Sequence, residues 1–180
     1  MASLALATSI SPAVNAEMNV VTESYDMDPA SCDGLFLNGV TYGFTIGGIP
    51  SQDCVAGTFI GPGYTNNIES PNIEGNASGV LYLSFETPTT VFGFGVALSS
   101  GGTPQEVTIN LNRPGAGLLR ESVDLETTFD PSFLGGYYYY DGPAVKTLSI
   151  SFSNINGRFA VDNLEYFIRP RRGKKSARVK

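Results

Sequence analysis

The sequence of 180 residues contains no histidine and no tryptophan, and only two cysteines. Without histidine there is no Ser-His-Asp triad, no Cys-His dyad and no imidazole-ligated metal site. Charge is sparse, with Asp, Glu, Lys and Arg making up 16% of the chain. Helix signals are nearly missing: apolar residues do not recur at spacings of three and four over any stretch poor in glycine. No apolar run approaches the ~20 residues that a membrane-spanning helix needs. The phosphate-cradling GxxxxGK[ST] loop, a GxGxxG turn between strand and helix, and EF-hand spacing are all absent.

Glycine (21), proline (11), phenylalanine (11) and tyrosine (9) are plentiful instead. Apolar residues alternate with polar ones at period two. Leu81, Leu83 and Phe85 alternate with Tyr82 and Ser84; Phe92, Phe94, Val96 and Leu98 with small residues. Val107, Ile109 and Leu111 alternate with Thr108, Asn110 and Asn112, and Leu148, Ile150 and Phe152 with serines. Each run turns one face to a core and one to water, as antiparallel strands do. Gly/Pro/Asn clusters separate the runs. The pattern predicts an all-β protein, an antiparallel β-sandwich of jelly-roll type with about nine to ten strands and little or no helix. Strands are expected at 18–25, 40–46, 54–60, 79–86, 90–98, 105–112, 118–126, 136–140, 145–153 and 158–168. The segment 61–78, rich in Asn, Gly, Pro and Glu, reads as a long loop.

The chain opens MASLALATSISPAVNA, a short apolar run followed by small residues in an A-x-A-like pattern. This reads as a secretory signal over 1–16, followed by a sandwich domain over 17–168 and a basic tail over 169–180. In an exported chain, Cys32 and Cys54 are expected to form one disulfide. The loop it closes is worth about 3 kcal/mol in the entropic model. Asn76-Ala77-Ser78 is a glycosylation sequon, relevant in a eukaryotic host.

The net charge of −6 conceals two parts. The first 168 residues carry four bases against seventeen acids, a net of −13, and the last twelve carry seven bases. The acidic body argues against a nucleic-acid-binding domain. The tail lacks aromatic interleaving, so it does not suggest sequence-specific recognition of nucleic acid. It reads as a solvated appendage able to meet an acidic polymer or the body itself.

Within NGRFAVDNLEY (156–166) the apolar phase slips by one residue at Asp162-Asn163, the mark of a β-bulge whose polar pair bonds neighbouring backbone. Asp162 could also ligate calcium, the one candidate cofactor, with Glu23, Asp26 and Asp28 as co-ligands. The TVFGFGVAL strand, the GGYYYYDGPAVKTLSISF hairpin and the closing RFAVDNLEY resemble secreted jelly-roll domains of bacteria and ascomycete fungi that end on an F-A-[ILV]-D-N-[IL]-x-[YF] strand. Some bacterial members precede a PEP-CTERM sorting tail. The resemblance covers roughly 79–167. It implies a β-sandwich, export, and an extracellular binding or matrix role. The chain departs from the sorted type by having a basic end without the Pro-Glu-Pro signal.

Three functional readings follow. The first is a non-catalytic module for a glycan or cell-surface polymer. Tyr137 to Tyr140 alternate, so one pair enters the core and the other forms an exposed aromatic strip. We assign the strip to Tyr138 and Tyr140, with Tyr64, Asn66 and Asn67 of the long loop as further contacts. The second is a carboxylate-based glycan hydrolase or lyase using Asp124 and Glu126, which would share one face of a strand. The third is a self-associating matrix or coat protein.

Overall fold

The computed structural model describes residues 19–58, 67–69, 71–99, 106–127, 133–153 and 156–168. The expected signal, the basic tail, and Tyr64 and Asn66 lie outside the described residues.

The described residues contain strands and no helix. In chain order the strands are β1 (Asn19–Glu23), β2 (Ala30–Ser31), β3 (Phe36–Leu37), β4 (Val40–Ile46), β5 (Ile49–Pro50), β6 (Cys54–Thr58) and β7 (Asn72–Asn76). They continue with β8 (Gly79–Ser99), β9 (Val107–Arg113), β10 (Gly117–Val123), β11 (Glu126–Thr127), β12 (Phe133–Phe152) and β13 (Arg158–Ile168). All pairings are antiparallel.

Two sheets face each other. In the first, β4 pairs with the opening half of β8, which pairs with the closing half of β12, then β9 and β10. In the second, the closing half of β8 lies between the opening half of β12 and β13. Beyond β13 come β1 and β7, then β6 and β2. The chain alternates between the sheets as it proceeds, giving the rolled sandwich expected from the period-two runs.

Two runs expected as separate strands, 79–86 and 90–98, are one strand, β8. Its inward set changes phase from Leu81, Leu83 and Phe85 to Phe92, Phe94 and Val96. The change occurs across Glu86-Thr87-Pro88, where the strand passes between sheets and no ladder bond needs the missing proline N–H. In β12 the Asp141-Gly142-Pro143 cluster is likewise a bend rather than a turn, with register shifts on the way to Thr147.

Strand β7 corrects the expectation of a structureless 61–78. NIEGN carries no apolar alternation because Gly75 lies under the Phe159 ring. A Cβ there would sit 2.6 Å from that ring, which fills the place of a side chain. Phe159 stacks on Phe152 at 4.0 Å between ring centres and 8° between planes, and meets Phe44 at 5.8 Å. Phe85 meets Tyr166 at 5.5 Å. These rings tie the two sheets together, each worth roughly 1.5–3 kcal/mol on burial. The expected disulfide is present: Cys32 and Cys54, with Cα atoms 5.4 Å apart, tie the segment after β2 to the start of β6.

Candidate functional site

The tyrosine run occupies the opening half of β12. Register places Tyr138 opposite Phe94 and Tyr140 opposite Phe92, both of which point into the core. Tyr138 and Tyr140 are therefore buried, each 5% exposed, and their rings pack on those phenylalanines at 5.2–5.9 Å. Tyr138 donates its hydroxyl proton to Glu121, and Tyr140 donates to the Pro143 carbonyl at 2.7 Å. The assignment of the exposed strip to this pair is corrected: the phase is set by Phe92 and Phe94, which claim the even positions of β12 for the core.

Tyr137 and Tyr139 form the strip instead, 45% and 62% exposed. They lie opposite Gly95 and Gly93, and the next strand brings Asp162 and Glu165 opposite the same two glycines. A Cβ on Gly93 would lie 2.5 Å from the Tyr137 hydroxyl oxygen and 2.9 Å from Cζ. The Tyr137 ring thus leans diagonally across β8 over a bare stretch of backbone. The glycine lets the ring lie down on the sheet with its other side open. Partial burial, then the Glu165 carboxylate and Tyr139, raise the Tyr137 pKa, so the phenol keeps its proton and remains a donor. Glu165 is exposed beside it.

Residues 67–69 wall off one end of this face. The Asn67 carbonyl oxygen lies over Gly95, 1.8 Å from where a Cβ would be. Ile68 packs on Ala97 and Ala160. The expected bulge holds this strap. Asn163, at φ 51°, donates its side-chain amide to the Asn67 carbonyl at 3.3 Å. The Glu69 N–H donates to Asp162 Oδ2 at 2.7 Å. Asp162 Oδ1 is buried with no hydrogen-bond partner, and burial raises the carboxyl pKa to about 6.

The expected calcium ligands are not brought together. Glu23 lies on the inner side of β1, holding Asn38 Nδ2 at 3.0 Å and the Tyr166 hydroxyl at 3.1 Å. Asp162 points to the outer side under the strap, and Asp26 and Asp28 are exposed. Glu23 and Asp26 do line a cleft of about 150 Å3 with Asn38 and Tyr25. Among the described residues no group of three or more acidic or thiol side chains is placed to hold a metal.

Asp124 and Glu126 do not share a strand. The expected strand 118–126 ends at Val123, and Glu126 opens β11, which pairs with the other sheet. The break falls where the Asp124 carbonyl crosses Gly136, 2.5 Å from where a Cβ would be. Both carboxylates are exposed. Asn76 of the sequon spends its amide nitrogen on Asp53 at 3.1 Å, and its oxygen accepts from the Ser78 N–H and hydroxyl. Glycosylation would replace the Asp53 contact.

Sequence reasoning missed Tyr137, Tyr139, Glu165 and the strap. One signal was present: in FGFG the phenylalanines claim the core and leave glycines facing out, the setting in which an outward tyrosine can lie flat.

No family model and no curated protein matches the sequence. Among solved structures the chain is similar to a family 29 carbohydrate binding module, with a TM-score of 0.44 and 11% identity over 86% of this chain and 96% of that one. A family 29 module variant complexed with mannohexaose gives 0.43 and 12% identity, over 84% of this chain and 92% of that one. The CBM22-1-GH10 modules of a Clostridium thermocellum xylanase, complexed with xylohexaose, give 0.39 and 14% identity, over 82% of this chain and 28% of that one.

Proposed function

We propose that the chain is an exported, non-catalytic carbohydrate-binding module that holds a glycan on the face of Tyr137 and Tyr139. The observation that carries this reading is the Tyr137 ring laid over Gly93 beside exposed Tyr139. The two residues are about 6.8 Å apart along β12 by their backbone, and the Tyr137 ring leans onto β8 over Gly93, the residue opposite Tyr139. The two rings offer neighbouring stacking surfaces for the C–H faces of a sugar chain. Glu165 stands alongside as an acceptor for sugar hydroxyls, and the Tyr137 phenol as a donor. The acids weighed for catalysis, Asp124 and Glu126, stand on separate elements in solvent. The disulfide supports an oxidising compartment.

Affinity measured against a panel of soluble polysaccharides tests this. Tyr139→Ala is expected to weaken binding roughly tenfold with the melting temperature unchanged, the effect of removing an exposed aromatic anchor. Gly93→Ala keeps both tyrosines but forces the Tyr137 ring off the sheet, and is expected to weaken binding similarly. Unchanged affinity in both variants would remove this face from consideration.

A further inference from the structure

The outer face of the first sheet, on the opposite side of the core, carries two exposed rings, Tyr82 of β8 and, at its β3 edge, Phe36, 58% exposed. Tyr82 is 42% exposed on β8, the second of five paired strands. Its row runs from Gly43 of β4 through Tyr82 to Ser149 of β12, Asn110 of β9 and Arg120 of β10. The row on one side runs from Phe36 through Thr41, Ser84, Thr147 and Asn112 to Leu118, and the row on the other holds Thr45, Val80, Ser151, Thr108 and Ser122. Around Tyr82 the face is mostly polar: the Thr108 and Ser122 hydroxyls donate to Glu106, the Thr45 hydroxyl is buried, and the exposed apolar side chains Phe36 and Leu118 stand at opposite ends of the Ser84 row. At Gly43 the Asp33 Oδ1 and Tyr82 Cβ both lie 3.8 Å from where a Cβ would be, so the Asp33 carboxylate stands over β4 beside the ring. Asn110 Nδ2 and Ser149 Oγ, at 3.5 Å, sit on its other side.

We propose that this face is a second carbohydrate-contacting surface, and that one molecule joins two glycan chains, one on each sheet. This rests on the reading of Tyr137 and Tyr139 as a glycan face. The occupant is an extended, uncharged polysaccharide. A protein partner would need a contiguous apolar centre at the interface, and here the exposed apolar side chains Phe36, Tyr82 and Leu118 stand apart, with polar residues between them. A charged polymer would need a patch of one sign, and Arg120 at one end of the row is set against Asp33 at the other. A neutral sugar chain matches a ring flanked by groups that both donate and accept. Five strands at 4.8 Å give a lane about 19 Å wide. The two faces point away from each other, so a single short glycan segment cannot occupy both, and the second binding event recruits another chain or a distant stretch of the same one.

The test uses the protein with glucomannan, arabinoxylan and mixed-linkage β-glucan. Retardation in gels containing each polymer reads binding, and light scattering of protein mixed with the retarding polymer reads joining. Wild type should be retarded and should raise scattering. Tyr82→Ala and Tyr139→Ala should each stay retarded, at about tenfold lower apparent affinity as avidity is lost. Each should leave scattering at the level of polymer alone, with an unchanged melting temperature. The double variant should not be retarded. The proposal is overturned if Tyr82→Ala matches wild type in both measurements, or if either single variant abolishes retardation. No retardation of wild type by any of the three polymers would instead defeat the reading of the Tyr137 and Tyr139 face, and this proposal with it.

Discussion

Asp162 has two carboxylate oxygens in unequal surroundings: Oδ2 accepts from Glu69, while Oδ1 is buried and unpaired. A proton on Oδ1 removes the charge and leaves the Oδ2 bond intact, which is how burial lifts the pKa from 3.8 to about 6. A carboxyl with a higher pKa folded than unfolded stabilises the fold fully below its unfolded value. That contribution is lost as pH rises through the folded value. The window therefore runs from about pH 4 to just above 6, and the contribution is on the order of 2 kcal/mol. Asp162→Asn keeps an acceptor for Glu69 without the charge. Thermal melts at closely spaced pH should show wild type losing stability through this window relative to the variant. Parallel curves would place the proton elsewhere.

At the scale of elements, the strap over the second sheet depends on one absent side chain. Gly95→Ala puts a methyl group into the Asn67 carbonyl, a backbone atom that cannot rotate away. The expected result is a destabilised protein with faster amide exchange at Glu69, whose N–H is held by Asp162 only while the strap is seated. Exchange at Glu69 no faster than in wild type would show that the strap shifts without unseating.

The strands were legible where alternation was strict, as in β4, β9 and the ends of β13. The bulge at Asp162-Asn163 was legible too, because a phase slip marks the extra residue directly. Strand β7 was not, since a phenylalanine from a neighbouring strand fills the space over Gly75. The outward tyrosine pair was not, because alternation divides the four tyrosines without choosing a side. The choice belongs to the register with β8, which is set by contacts between residues some forty positions apart. The breaks at Pro88 and Pro143 read as turns in sequence because local chemistry alone does not distinguish a turn from a strand changing sheets.

For the whole molecule, the disulfide adds to a fold whose pairings are mostly distant in sequence. Replacing Cys32 and Cys54 by serine should cost about 3 kcal/mol, read as a lower denaturant midpoint with the strand pairing around Tyr137, Tyr139 and Tyr82 intact. An unchanged midpoint would mean that the bond does not constrain the unfolded chain.

The sharing of β8 and β12 between both sheets has a mechanical meaning. Sandwich layers held only by side-chain packing can shear past each other like stacked plates. Here two neighbouring backbones run without interruption from one layer to the other. A pull between the opposite faces is borne along covalent chain and by rows of strand bonds loaded side by side. The aromatic surfaces on the two sides are thereby kept at a fixed separation and angle under tension.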